Sequence, residues 1–197
     1  MLIRQTKIMN VQRGYVLLEV LISIVILAIG LLGVAKLQAS TRQLEMESYQ
    51  RAQAVILLQD MVSRLSANRA SASCYAITDL STGTPYLGTG ETAPGSCASG
   101  AGKTAQQNAA VADLGQWHNL LLGNSEQIGN NNVGAMVGAR GCVTYDAAND
   151  VYVVTVTWQG LMKTTAPSSG LSCAKDTYGD DAQRRAVSAV VQLAKLD

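Results

Sequence analysis

The stretch RGYVLLEVLISIVILAIGLLGVA, residues 13–35, limits what this chain can become more than any other. From residue 15 to residue 35 it is apolar except for Glu19 and Ser23. At ~1.5 Å per residue a helix of that length covers roughly 30 Å, the thickness of a bilayer's hydrocarbon core. Arg4, Lys7 and Arg13 precede it, with no acid among them. Positive flanks stay cytoplasmic, so the rest of the chain is expected on the far side of the membrane. A removable secretory signal is the competing reading, but its apolar core runs only ~7–15 residues and ends at a small-x-small site. The nearest such site here, near Ala39, falls inside a segment that continues as helix. A retained apolar helix is therefore expected.

A plain anchor leaves Glu19 unexplained. A carboxylate at the centre of a membrane helix costs ~2.5–3.5 kcal/mol, less near an end, and such residues usually have a partner. A positive charge at the same depth would serve. Cutting the chain after Gly14 creates one, the α-amine of Tyr15, and Glu19 of one subunit can then pair with the amine of its neighbour.

Gly14-Tyr15-Val16-Leu17-Leu18-Glu19-Val20-Leu21 resembles the class III signal of type IV pilins and type II secretion pseudopilins. The resemblance implies that a prepilin peptidase cuts after Gly14 and methylates the new N-terminus at Tyr15. Residues 1–14 are then a cytoplasmic leader, and the apolar segment serves as membrane anchor before assembly and as filament core afterwards. Tyr15 stands where the family usually has phenylalanine, a residue this chain lacks altogether. Aromatic character is kept, so processing is expected to survive.

The helix should continue past the membrane. Residues 36–68 contain neither Pro nor Gly, and Leu44, Val55, Leu58, Val62 and Leu65 are spaced 11, 3, 4 and 3 apart, one helical face. Gln53, Asp60 and Arg64 are expected opposite it. This gives a spine over 15–68, transmembrane at 15–35 and amphipathic at 36–68, followed by a globular head over 69–197. Gly30 and Gly33 weaken the first half by ~1 kcal/mol each relative to Ala. Local melting in a filament and close helix packing at small residues both account for them.

In the head, 79–110 is rich in Ser, Thr, Gly, Ala and Pro and reads as a long surface loop pinned by Cys74 and Cys97. Its GAGKT (100–104) is not a phosphate-binding loop, because Cys97 occupies the position of the first glycine and no strand is expected before it. A short helix is expected from Asp113 to Gly123, with Asp113 as N-cap, Leu114, Trp117 and Leu121 inward, and His118 on the surface. Val151 to Trp158 alternates as a strand with Tyr152, Val154, Val156 and Trp158 on one side. Residues 142–145 pair with it through the DAAND turn, and 186–194 supply a third strand. The expected fold is α+β and pilin-like: a long N-terminal helical spine packed on a small antiparallel sheet.

The net charge of +1 argues against broad nucleic-acid binding, and basic residues after position 70 are few and scattered. A DNA-uptake receptor is disfavoured on the same ground, so no nucleic-acid partner is expected. Four cysteines, Cys74, Cys97, Cys142 and Cys173, form no C-x-x-C pair, and His118 is the only histidine. That argues against zinc and for two disulfides in an oxidising compartment. Sequential pairing closes the shorter loops, but all three connectivities stay open. Asp176, Asp180 and Asp181 lack EF-hand spacing and read as solvated loop charges paired with Arg184 and Arg185. With one histidine, no paired-carboxylate motif and no G-x-S-x-G, no enzyme is expected, and no cofactor.

The resemblance narrows further. AIGLLGVAKLQ (28–38), YQRAQAVILLQDMVSRLSANR (49–69), ADLGQWHNLL (112–121), GCVTYD (141–146), YVVTVTWQG (152–160) and RRAV (184–187) occur in the order of PilV-type minor pilins. This implies a low-abundance subunit that primes pilus assembly, with prepilin peptidase, other minor pilins, the major pilin and a tip adhesin as partners. It also implies a single-pass inner-membrane location with the head in the periplasm, then an extracellular pilus, with twitching motility and adhesion as the outcome. A minor pseudopilin of a type II secretion system is the alternative that shares Gly14 and Glu19.

Overall fold

The computed structural model describes residues 15–98 and 102–194. Helix α1 runs from Tyr15 to Ala67, 53 residues without a break. Nothing in its sequence stops it earlier, and a 3-10 turn at Arg69–Cys74 takes over where Ser66-Ala67-Asn68 ends the apolar pattern. The chain divides into two compact units, Met1–Glu45 and Met46–Asp197.

In the first unit the helix has no inside. All the described residues of Tyr15–Glu45 are exposed, including Leu17, Ile24, Leu31 and Leu32. The helix is long and apolar enough to cross a membrane.

The second unit holds the core. After the 3-10 turn come β1 (Leu87–Gly88), α2 (Thr104–Leu121), the small hairpin β2 (Gln127–Ile128) and β3 (Asn131–Asn132), and then β4 (Arg140–Asp146), β5 (Val151–Gln159) and β6 (Arg184–Val191). The main sheet has the order β1-β4-β5-β6, with every neighbouring pair antiparallel. A long helix followed by a small antiparallel sheet is the expected α+β, pilin-like architecture. Gln50, Ala54, Leu58, Met61 and Leu65 of α1 are buried, at helical spacing. They share one core with Leu114, Trp117 and Leu121 of α2 and with Val143, Val154, Val156 and Trp158 of the sheet. Trp117 joins the layers: its indole N–H donates to the Leu57 carbonyl at 2.9 Å. Its ring lies against Gly141, where any Cβ would sit 2.3 Å from ring carbon.

Several expectations need correction. The buried face of α1 keeps Leu58 and Leu65 as expected but is centred about a residue away, on Ala54 and Met61; Val62 is half-buried against the same core, Val55 is half-buried, and Leu44 is exposed. Gln53 and Arg64 do not point away from the head: Gln53 donates to the Gly134 carbonyl at 3.2 Å and Arg64 to Asp113 at 2.8 Å. Helix α2 starts nine positions before Asp113, so Asp113 is no N-cap. The cap is made instead at Lys103, whose backbone N–H donates to the Gln106 side chain at 3.1 Å. Gly123, at φ +81°, closes the helix as expected. The 79–110 segment is accordingly not all surface loop, since Tyr86, Leu87 and Gly88 are buried and residues from Thr104 are helical. Strand β6 begins two residues before the expected third strand and ends before Gln192.

The alternation along β5 is right, yet both faces are covered. Thr155 and Thr157 are buried as well. Over them lies a second small core of Tyr86, Cys142, Cys173, Ala174 and Tyr178, carried mostly by the connection between β5 and β6.

Candidate assembly site

Glu19 sits in the second turn of α1 and is exposed. Ser23, the other polar residue of the run, donates to the Glu19 backbone carbonyl at 2.7 Å and so satisfies itself within the helix. The Glu19 carboxylate has no hydrogen-bond or ion-pair partner among the described residues. It is the single acid of the apolar run over residues 15–35. Carboxylates in an apolar layer are usually paired, and nothing on this helix is placed to do so among the described residues. Gly14 and the rest of the expected leader lie outside the described residues, while Tyr15 opens the helix.

The other polar cluster of the spine is internally satisfied. Asp113 on α2 accepts from Arg64 and from the Tyr75 hydroxyl, and Arg64 also reaches Asp60 at 2.8 Å. Desolvation, together with the neighbouring Asp113 carboxylate, drives the Tyr75 hydroxyl well above the usual tyrosine range. Asn68 adds a donor to Tyr75 and another to the Gln106 carbonyl. These bonds fasten the end of α1 to α2 and the 3-10 turn. Alongside, a groove of about 440 Å³ is lined by Tyr49, Ile56, Leu57, Leu120 and Met136, with Asp60 and Glu126.

At the other end of the head, Glu47 accepts from the Leu161 backbone N–H at 3.1 Å and from Arg185 at 3.3 Å. The expected pairing of Arg185 with the aspartates of the 176–181 turn does not form; Glu47 takes it instead. Arg184 does pair there, bidentately with Asp181 at 2.6 and 2.9 Å. Its guanidinium is fully buried and also donates to the Leu171 and Cys173 carbonyls. Asp180 is taken by Lys163 at 2.7 Å and by the Ala182 N–H. Among the described residues, no group of three or more His, Cys, Asp or Glu side chains is placed to hold a metal ion.

Cys74 is joined to Cys97 and Cys142 to Cys173, the sequential arrangement of the three that the sequence left open. His118 is not on the surface. It is buried, and its Nδ1 accepts from the Gly88 N–H at 3.1 Å. Burial holds its pKa below the ordinary histidine value. No local pattern signals this, because β1 is only two residues long and has no recognisable strand alternation.

Residues 9–35 match the prokaryotic N-terminal methylation motif. That motif, the class III signal, supports a protein of the type IV pilin and pseudopilin kind and points to a structural subunit rather than an enzyme. It implies processing by prepilin peptidase and assembly with other pilins, and with the apolar helix it fits anchoring in the inner membrane. No curated protein and no solved structure matches the chain.

Proposed function

We propose that this chain is a minor pilin of the PilV type, a low-abundance subunit that primes type IV pilus assembly with other minor pilins and the major pilin. The observation that carries the reading is the Gly14-Tyr15 pair followed by Glu19, with Tyr15 opening an uninterrupted apolar helix. Prepilin peptidase removes residues 1–14 and methylates Tyr15. Residues 15–35 hold the subunit in the inner membrane with the head, 69–197, in the periplasm, and 36–68 complete the spine. On extraction from lipid, neighbouring spines pack through their apolar side chains. Glu19 then meets the α-amine of an adjacent subunit, because a carboxylate left alone in that apolar layer is costly. That pair sets the register between subunits, and the pilus carries twitching motility and adhesion. The order of the head motifs favours a minor pilin over a pseudopilin.

Intact mass and N-terminal sequencing, with and without prepilin peptidase, test the processing. A peptidase-dependent chain starting at methylated Tyr15 is expected. An uncut chain or an N-terminus near Ser40 overturns the reading. Glu19→Val is expected to stay in the membrane and to lose piliation, and normal piliation in that variant discards the pairing. A deletion that stops protein secretion while leaving pili intact would favour the pseudopilin instead.

A further inference from the structure

Strand β6 closes one side of the main sheet and β1, two residues long, the other. The phase of the β5–β6 ladder follows from one bond. The Gly160 N–H donates to the Gln183 carbonyl at 2.8 Å, one step beyond the Gln159–Arg184 pair. In an antiparallel ladder bonded pairs alternate. The pairs facing β5 are therefore Trp158–Arg185, Val156–Val187, Val154–Ala189 and Tyr152–Val191. Ala186, Ser188 and Val190 turn their N–H and C=O groups away from the sheet, and among the described residues nothing bonds them. Arg184 is capped, its N–H donating to the Asp181 carbonyl.

Exposed edges are normally blunted by a lysine, a proline or a bulge. From Ala186 to Val191 this edge has no charge and no proline, and its register with β5 is continuous. Val190 is 68% exposed. The open backbone groups call for an extended strand, and the sequence is complementary to itself. When RRAVSAVVQ is laid antiparallel on its own copy about Ser188, Ala186 faces Val190, Arg185 faces Val191 and Arg184 faces Gln192. No like charges oppose each other, and Ala186, Ser188 and Val190 carry neither charge nor bulky side chains.

We propose that the outer edge of β6 pairs with β6 of a second copy of this chain, antiparallel about a two-fold axis at Ser188. The interface is isologous and runs one sheet through both heads. It is a head-to-head contact that stands independently of the processing and pairing proposed for the N-terminus.

The test uses the full chain in detergent and in native membranes. Cys74, Cys97, Cys142 and Cys173 are all in disulfides, so an added cysteine is the only thiol. At the centre of a bonded antiparallel pair the two Ser188 Cα atoms lie ~5.5 Å apart, within disulfide reach. Gln192, also exposed, is displaced from its copy by eight positions, about 27 Å along the strand. Ser188→Cys is expected to give on the order of tenfold more covalent dimer under mild oxidation than Gln192→Cys. Adding Val190→Pro to Ser188→Cys removes an outward N–H that β5 does not use, and should abolish the dimer without lowering the melting temperature of the head. Equal cross-linking at 188 and 192, or no cross-link from a Ser188→Cys chain that melts like the parent, overturns the proposal. A cross-link from Ser188→Cys to a protein of another mass also overturns it, and makes the edge a docking strand for a different partner.

Discussion

Leu32 and Leu65 belong to the same helix, yet one is 71% exposed and the other wholly buried. Both stretches of α1 are rich in leucine, valine and isoleucine. They differ in whether polar residues define a side. Between residues 15 and 35 apolar side chains point in every direction, so no one face can be assigned to a core. From Gln50 to Leu65 the interposed Arg51, Gln59 and Ser63 stay exposed, which leaves one apolar stripe facing the head. Composition tells how much apolar surface must be covered; only periodicity tells whether the chain's own fold covers it.

The comparison can be broken by stability measurements. Trp117→Ala removes the ring that links α1, α2 and Gly141, and should cost about 3–5 kcal/mol, read by urea unfolding of the head. Leu32→Ala should leave that transition unmoved, and a comparable loss there would show that the apolar stretch serves the core after all. Within the second stretch, Met61→Ala should cost ~2–5 kcal/mol, while Ile56→Ala, five positions earlier and 65% exposed, should fall within about 0.5 kcal/mol. Asp113→Asn withdraws a charge-assisted acceptor from Arg64 and Tyr75. A loss of ~1–3 kcal/mol in the same urea titration is expected, and a neutral result would mean that apolar packing alone fixes α2 on the spine.

The smallest effect is a pH dependence. The folded state holds the His118 pKa below its unfolded value, so the unfolded chain binds the proton more readily. The stability this lends is complete above about pH 6.5 and declines as pH falls toward the folded pKa. His118→Gln should flatten that part of the stability profile. A profile unchanged by the substitution would exclude His118 as its source.

These contrasts also mark what could be read in advance. The apolar run, Glu19, the inward trio of α2 and the β4–β5 hairpin carry strong local patterns, and each is legible from spacing alone. The start of α2 is not. Thr104 to Ala109 are good or tolerable helix formers, but none is buried, so no period betrays the helix there. His118 and the polar contacts of Gln53 and Arg64 depend on residues 30 to 81 positions away, and no window along the sequence contains both partners. The rotation of the buried face of α1 has the same origin. Val55 and Val62 are more apolar than Ala54, but Ala54 and Met61 are the ones wholly buried in the core shared with α2 and the sheet.

The connection between β5 and β6 is fastened to the outer face of the sheet at several separate points. Cys173 is bonded to Cys142, the Ser172 hydroxyl donates to the Leu80 carbonyl, Tyr178 meets Thr157, and Arg184 holds the Leu171 and Cys173 carbonyls. Only 161–170, lying ahead of these fastenings, is exposed nearly throughout. A protease that cuts there divides the polypeptide without dividing the particle. The downstream piece keeps its covalent link to β4 and its place beside β5. Such a nick would be visible on a reducing gel and would leave the head intact.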